Sequence, residues 1–293
     1  MRSLLLSLSL RLAPAAVAAC PLAATEPAVF DQLRRQDFAI DDATRLHSLT
    51  LALLPCLSSP DPAVRDDTAL AALTAWMRGG LLDPTALRDL RERGHAQLEA
   101  GDTEGFTAPF TALVLAEIAR TDRRVAWMDE SERAGMVEHA ARYLEQVRDY
   151  RGYDPHAGWR HGVAHGADWL MQLALNPALT RPQLDRLLAA IASQAVPAAS
   201  HAYVEGEYER LARPVLFVAR RGLHTENDWQ HWLSGISARL DETGPAWRNR
   251  DWLARRHDLL VFLAVLNTQI DLNADPALLP LQQAVQATLR RLP

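Results

Sequence analysis

From about residue 40 to the C-terminus, apolar residues recur at helical spacing and almost never alternate in the period of two that a half-buried strand shows. Leu70, Leu73, Trp76 and Met77 form one stripe, Leu113 and Ile118 belong to a second, and Leu184, Leu187, Leu188 and Ile191 form a third. Leu259, Val261, Phe262, Leu266 and Ile270 belong to a nearly all-apolar helix that reads as central to the core. Three Asp-Pro pairs, Asp61-Pro62, Asp83-Pro84 and Asp275-Pro276, have the form of an N-cap followed by proline in the first turn. Asp129–Glu132 and Thr225–Asp228 resemble capping boxes, and Gly79-Gly80, Gly101, Gly152 and Gly222 supply stops.

These marks predict about eleven helices. They fall near 42–58, 62–78, 84–100, 104–120, 130–149, 159–175, 181–195, 206–221, 226–240, 251–270 and 276–291. Short links between successive helices point to antiparallel pairs of about 40 residues each, stacked as a HEAT-like α/α superhelix. The fold class is therefore all-α, with residues 25–293 as one helical domain and the charged segment Asp241–Asp251 as the best candidate for a long surface loop.

The first 24 residues read differently. Met1-Arg2, the run Leu4–Leu10 and the small residues up to Ala24 make a secretory signal peptide, cut between residues 19 and 25. Its apolar run is shorter than the roughly 18–20 residues of a membrane span. Val17-Ala18-Ala19-Cys20 also reads as a lipobox, which would leave Cys20 lipidated as the mature N-terminus. Either exit places the protein in the periplasm, free or membrane-anchored, with membrane contact only through Cys20. Cys56 lies in the apolar run Leu51–Leu57 and reads as an inert small core residue.

Composition narrows the chemistry. The chain of 293 residues has a formal net charge of −5 and no lysine, so all its 31 basic residues are arginine. A Walker-A lysine and a lysine Schiff base are excluded, and the acidic balance argues against nucleic acid as a partner. Neither GxSxG nor GxGxxG occurs.

The distinctive segment is residues 148–169. If the chain is helical from Trp159, His165 lies about 40° from His161 around the axis, and Asp168 about 20° to the other side. Histidines at i and i+4 with a carboxylate at i+7 could hold a divalent metal such as zinc or perform acid–base catalysis; equally, they could form a structural polar network. Gly158, Gly162 and Gly166 would give a second helix or a ligand close access. Arg151 and Asp154, just before the helix, could line a pocket or serve the local turn. The cluster Glu205, Glu207, Glu209, Arg210 and Arg213 could supply a carboxylate pair, with Trp229, Trp232, Trp247 and Trp252 as sugar platforms, or form an ordinary acidic helix start.

Arg151-Gly152-Tyr153, Gly158-Trp159, His161, Ala164-His165 and Ala167-Asp168 resemble the signature of a bacterial family known as domain-of-unknown-function family 2785. Phe110–Leu115 and Glu209-Arg210-Leu211 resemble further stretches of it. The resemblance implies an all-helical, repeat-like fold and no established activity. Two functions follow from the residues: a binding protein or scaffold that takes a protein or small ligand on a concave face, and a hydrolase-like enzyme built on His161, His165 and Asp168, acting on glycans.

Overall fold

The computed structural model describes residues 20, 27–198, 201–240 and 247–292. The proposed leader lies outside the described residues apart from Cys20, as does 241–246 of the charged loop. Among the described residues there are 12 helices and one two-stranded sheet, and the structure is 71% helical.

α1 (Pro27–Arg35) precedes the first helix the sequence predicts, and α2 (Ala43–Leu53) runs on into a 3-10 turn, Leu54–Ser58. α3 is one helical run composed of Pro62–Val64, a π-helical turn Arg65–Leu70 and Ala71–Arg78. Then come α4 (Pro84–Leu98), α5 (Thr107–Arg124) and α6 (Glu130–Gln146). A hairpin of β1 (Tyr153–Asp154) and β2 (Gly158–Trp159) separates α6 from α7 (Gly162–Ala174). α8 (Arg181–Ala195), α9 (Glu207–Ala219), α10 (Glu226–Ala238), α11 (Arg250–Asn273), a 3-10 turn Pro276–Leu278 and α12 (Leu279–Arg291) complete the chain.

The cap chemistry accounts for these starts. Asp61 accepts from the Ala63 N–H, Asp83 from the Ala86 N–H, and Asp129 and Thr225 close capping boxes with Glu132 and Asp228. The third Asp-Pro pair caps the 3-10 turn ahead of α12 rather than the helix itself.

Alternate helices are neighbours. α5 packs on α7, α7 on α9 and α9 on α11, while α6 packs on α8, α8 on α10 and α10 on α12. Two layers result, with the apolar stripes facing each other between them. α11 is less central than its composition predicts: Phe262, Leu263 and Leu266 are buried, but Leu253, Leu260 and Leu272 face outward.

Of the glycines in α7, Gly166 answers to packing. A Cβ there would meet Tyr143 Cε1 at 2.9 Å and Leu144 Cδ1 at 3.0 Å, so α6 lies directly against α7 at that point.

Cys20 and Cys56 form a disulfide, with Cα atoms 4.5 Å apart. Cys56 is buried as predicted, but its sulfur is not inert. Its bond fastens position 20 against the core. No helix among the described residues is long and apolar enough to cross a membrane.

Candidate functional site

α7 does not begin at Trp159. Asp154 Oδ1 accepts from the N–H groups of His156 (2.8 Å) and Ala157 (2.7 Å), and Gly158 takes a left-handed φ of +75°, so the chain doubles back. Tyr153 then pairs with Trp159 and Asp154 with Gly158. Two more bonds extend the pairing, from Arg160 N to Gly152 O (3.0 Å) and His161 N to Arg151 O (3.2 Å).

His161 is the N-cap of α7, in the left-handed region at φ 57°, ψ 41°. That conformation costs a non-glycine residue about 1–3 kcal/mol and persists only where surroundings enforce it. Here its carbonyl receives the His165 N–H (3.0 Å), and its Nε2 lies 3.1 Å from the carbonyl oxygen of Glu205. A carbonyl only accepts, so Nε2 carries the proton.

His161 and His165 still come together, with ring centroids 6.0 Å apart, at a cleft of about 420 Å³. Trp159 stacks on His161 at 4.5 Å and forms one wall; Phe110 of α5 meets the His165 ring edge-on at 5.2 Å. Asp66, in the π-helical turn of α3, forms another part of the lining. Glu209, Arg210 and Arg213, spaced along one face of α9, complete it with Glu205.

His165 is the buried member, only 6% exposed. The Pro109 carbonyl lies close enough to act on the ring, and a carbonyl can only accept. Nδ1 has no partner among the described residues. Burial first, then the charges of His161 and Arg210, pushes the ring's pKa down to about 3. His165 is therefore a neutral imidazole in the cleft lining, with its buried Nδ1 unpartnered among the described residues. Burial also lowers the pKa of His161.

Asp168 belongs to the second rank. It binds Arg210 Nη2 at 2.9 Å, behind the cleft lining, and burial raises its pKa against the opposing charges of Arg210 and Arg213. The predicted triad is thus two histidines at the cleft and a carboxylate that fixes an arginine beside them. Among the described residues no group of three or more His, Cys, Asp or Glu side chains is placed to hold a metal ion.

Arg151 and Asp154 serve local structure. Arg151 pairs with Asp149 and donates to the Glu104 carbonyl, and Asp154 makes the turn just described. Trp229 and Trp252 are packed inside, which removes them as sugar platforms; Trp247 is exposed but lies against Trp252 and under Arg256, away from the cleft lining.

The segment preceding α9 holds this rim together. Glu205 Oε2 accepts the Tyr153 N–H at 2.5 Å and sits where a side chain on Gly152 would lie. Glu207 is buried and accepts the Glu205 N–H. Two residues earlier, Tyr203 N–H donates to Asp258 Oδ1 at 2.9 Å, while Oδ2 of this fully buried carboxyl has no partner among the described residues. Burial raises the Asp258 pKa to about 7. Between about pH 4 and 7 the folded state therefore holds a proton that the unfolded state has released, and stability falls as pH rises through that window. Each pH unit contributes at most about 1.4 kcal/mol. Asp258→Asn keeps the acceptor for Tyr203 and should flatten this slope in urea titrations at pH 4.5 and 7.5; an unchanged slope would assign it to other groups.

Residues missed by sequence reasoning are Arg65, which braces the hairpin, and Phe110 and Asp66 as cleft walls. The α9 cluster was visible, but not its convergence with the histidines.

An all-helical protein with a polar cleft roofed by an aromatic hairpin is the class these elements define. A family described as Protein of unknown function (DUF2785) matches residues 95–267, and the chain belongs to that family. No curated protein and no solved structure matches it. The stretches that carry the family resemblance meet at the cleft: Phe110 from α5, the hairpin and α7 histidines, and Glu209-Arg210 from α9.

Proposed function

We propose that this chain is an exported helical-repeat protein that binds a small ligand in the cleft between the β-hairpin, α7 and α9. The carrying observation is His165: a buried, neutral imidazole in the lining of a cleft large enough for a small molecule, with Nδ1 unpartnered among the described residues. Leaving such an atom unsatisfied costs about 1–3 kcal/mol, which a ligand's polar group would recover.

The same residue weighs against acid–base catalysis. A general base works best with a pKa near the operating pH, and burial moves His165 far below it. Asp168, the third member of the hydrolase reading, is committed to Arg210. Export rests on the leader pattern alone, and alternate-helix stacking is what supports a repeat architecture.

The test is a thermal-shift screen of chemically diverse small molecules on the wild type, His165→Asn and His165→Leu. Asparagine keeps hydrogen-bonding atoms near the Nδ1 position; leucine removes them. Ligands should stabilise the wild type and the asparagine variant and bind at least about tenfold more weakly to the leucine variant, the loss of one good hydrogen bond. Circular dichroism shows whether each variant is folded. Ligands that bind all three folded proteins alike, or a screen in which nothing stabilises the wild type, would defeat the proposal.

A further inference from the structure

A second buried atom of the same cleft has unused hydrogen-bonding capacity. Arg210 uses Nη2 on Asp168, but its Nε–H is buried and without a partner among the described residues. With its proton on Nε2, His165 can only accept at Nδ1, and Nε–H of Arg210 can only donate. The two residues are near enough for the arginine's charge to act on the imidazole.

This pairing selects among ligand groups. A carboxylate or phosphate brings acceptors alone: it would suit Arg210 but face the His165 lone pair and the carboxylates Asp66 and Glu209. An ammonium brings donors alone and meets Arg210 and Arg213. A hydroxyl does both at once, donating to Nδ1 and accepting from Nε–H. With three carboxylates and two guanidiniums in the lining, the site is close to electrically balanced, which fits an uncharged ligand.

The wall adds shape. Trp159 is 41% exposed and is backed by the His161 ring, so its orientation is fixed by stacking and by the strand pairing of β2. Tyr153, 57% exposed, lies 5.2 Å from it across the hairpin. Exposed aromatic rings held rigidly beside hydrogen-bonding groups offer an apolar platform with a polar edge. A pyranose ring has the complementary form, with C–H bonds on its faces and hydroxyls on its rim.

We infer that the cleft binds a neutral saccharide, its ring stacked on Trp159 and one hydroxyl bridging His165 Nδ1 and Arg210 Nε. This rests on the ligand-binding reading above and names the ligand class.

The test uses the folded chain with cellobiose, maltose and chitobiose as neutral probes, digalacturonate as an acidic one, and N-acetylated dipeptide amides as non-sugars carrying both donors and acceptors. Isothermal titration gives affinity, and saturation-transfer NMR shows which ligand protons touch the protein. At least one neutral saccharide should bind, with transfer strongest to the protons of one ring face. Trp159→Ala should weaken that binding at least tenfold. Arg210→Lys, which keeps a cation for Asp168 but has no Nε–H, should weaken it similarly. Preferential binding of digalacturonate would overturn the neutral assignment, as would saccharide affinity indifferent to Trp159→Ala. If the dipeptide amides bind in a His165-dependent way and no saccharide does, the ligand class is wrong and the binding function stands. If no probe binds here and the wider screen is also empty, both fail.

Discussion

Replacing Arg65 by methionine should lower stability by about 3–4 kcal/mol, read from the midpoint of urea unfolding at constant slope. The side chain is wholly buried in the π-helical turn of α3. Its guanidinium donates to the Ser59 carbonyl at 2.9 Å, to Asp66 at 2.7 Å and to the Ala157 carbonyl of the hairpin at 2.8 Å. Phe106 and Phe110 lie at 4.1 and 4.6 Å from its charged centre. Methionine fills much of the volume but leaves the Ser59, Pro60 and Ala157 carbonyls without this donor and Asp66 without its cation. Burial already raises the Asp66 pKa and Arg65 opposes that rise, so the variant should also bring Asp66 protonation to higher pH. Lysine should not rescue the loss, because a point charge cannot serve diverging carbonyls while lying flat between two rings. A change below about 1 kcal/mol would show that the hairpin is held by other means.

How Arg65 escaped sequence reasoning shows where such reasoning stops. The helix itself was legible, since Asp61, Pro62 and the stripe through Leu70, Leu73 and Trp76 are local signals. The π turn that aims Arg65 inward has no such signal, and its partner Ala157 lies 92 residues away. The histidine pair is a mixed case. Treating 159–175 as one helix placed His161, His165 and Asp168 on one face, and all three do reach one neighbourhood. They reach it differently: the Asp154 turn and Gly158 build a hairpin, His161 takes a left-handed backbone, and Asp168 reaches Arg210 rather than the cleft. The face of α9 carrying Glu209, Arg210 and Arg213 was likewise readable as a face. Only the packing of α9 on α7 shows what it opposes.

Breaking the Cys20–Cys56 bond should cost about 2–4 kcal/mol. The bond closes a loop with a sequence separation of 36, and loop-closure entropy for that length gives roughly 4 kcal/mol as an upper figure. Cys56→Ser should show this loss by urea unfolding, and reduction of the wild type should match it. The same sulfur tests the fate of the N-terminus. A lipid thioether and a disulfide both require Sγ of Cys20, so each excludes the other, and cleavage beyond residue 20 would remove the partner of Cys56 altogether. Intact mass of protein recovered from the producing cell, measured with and without reductant, separates these outcomes. The bonded state should appear as an unlipidated chain that retains Cys20 and gains two hydrogens on reduction. A diacylglyceryl adduct on Cys20, or a mature chain beginning after it, would leave Cys56 as a buried free thiol. In that case Cys56→Ser would lose only the small packing term of a buried sulfur, and the N-terminal segment would not be fastened to the core.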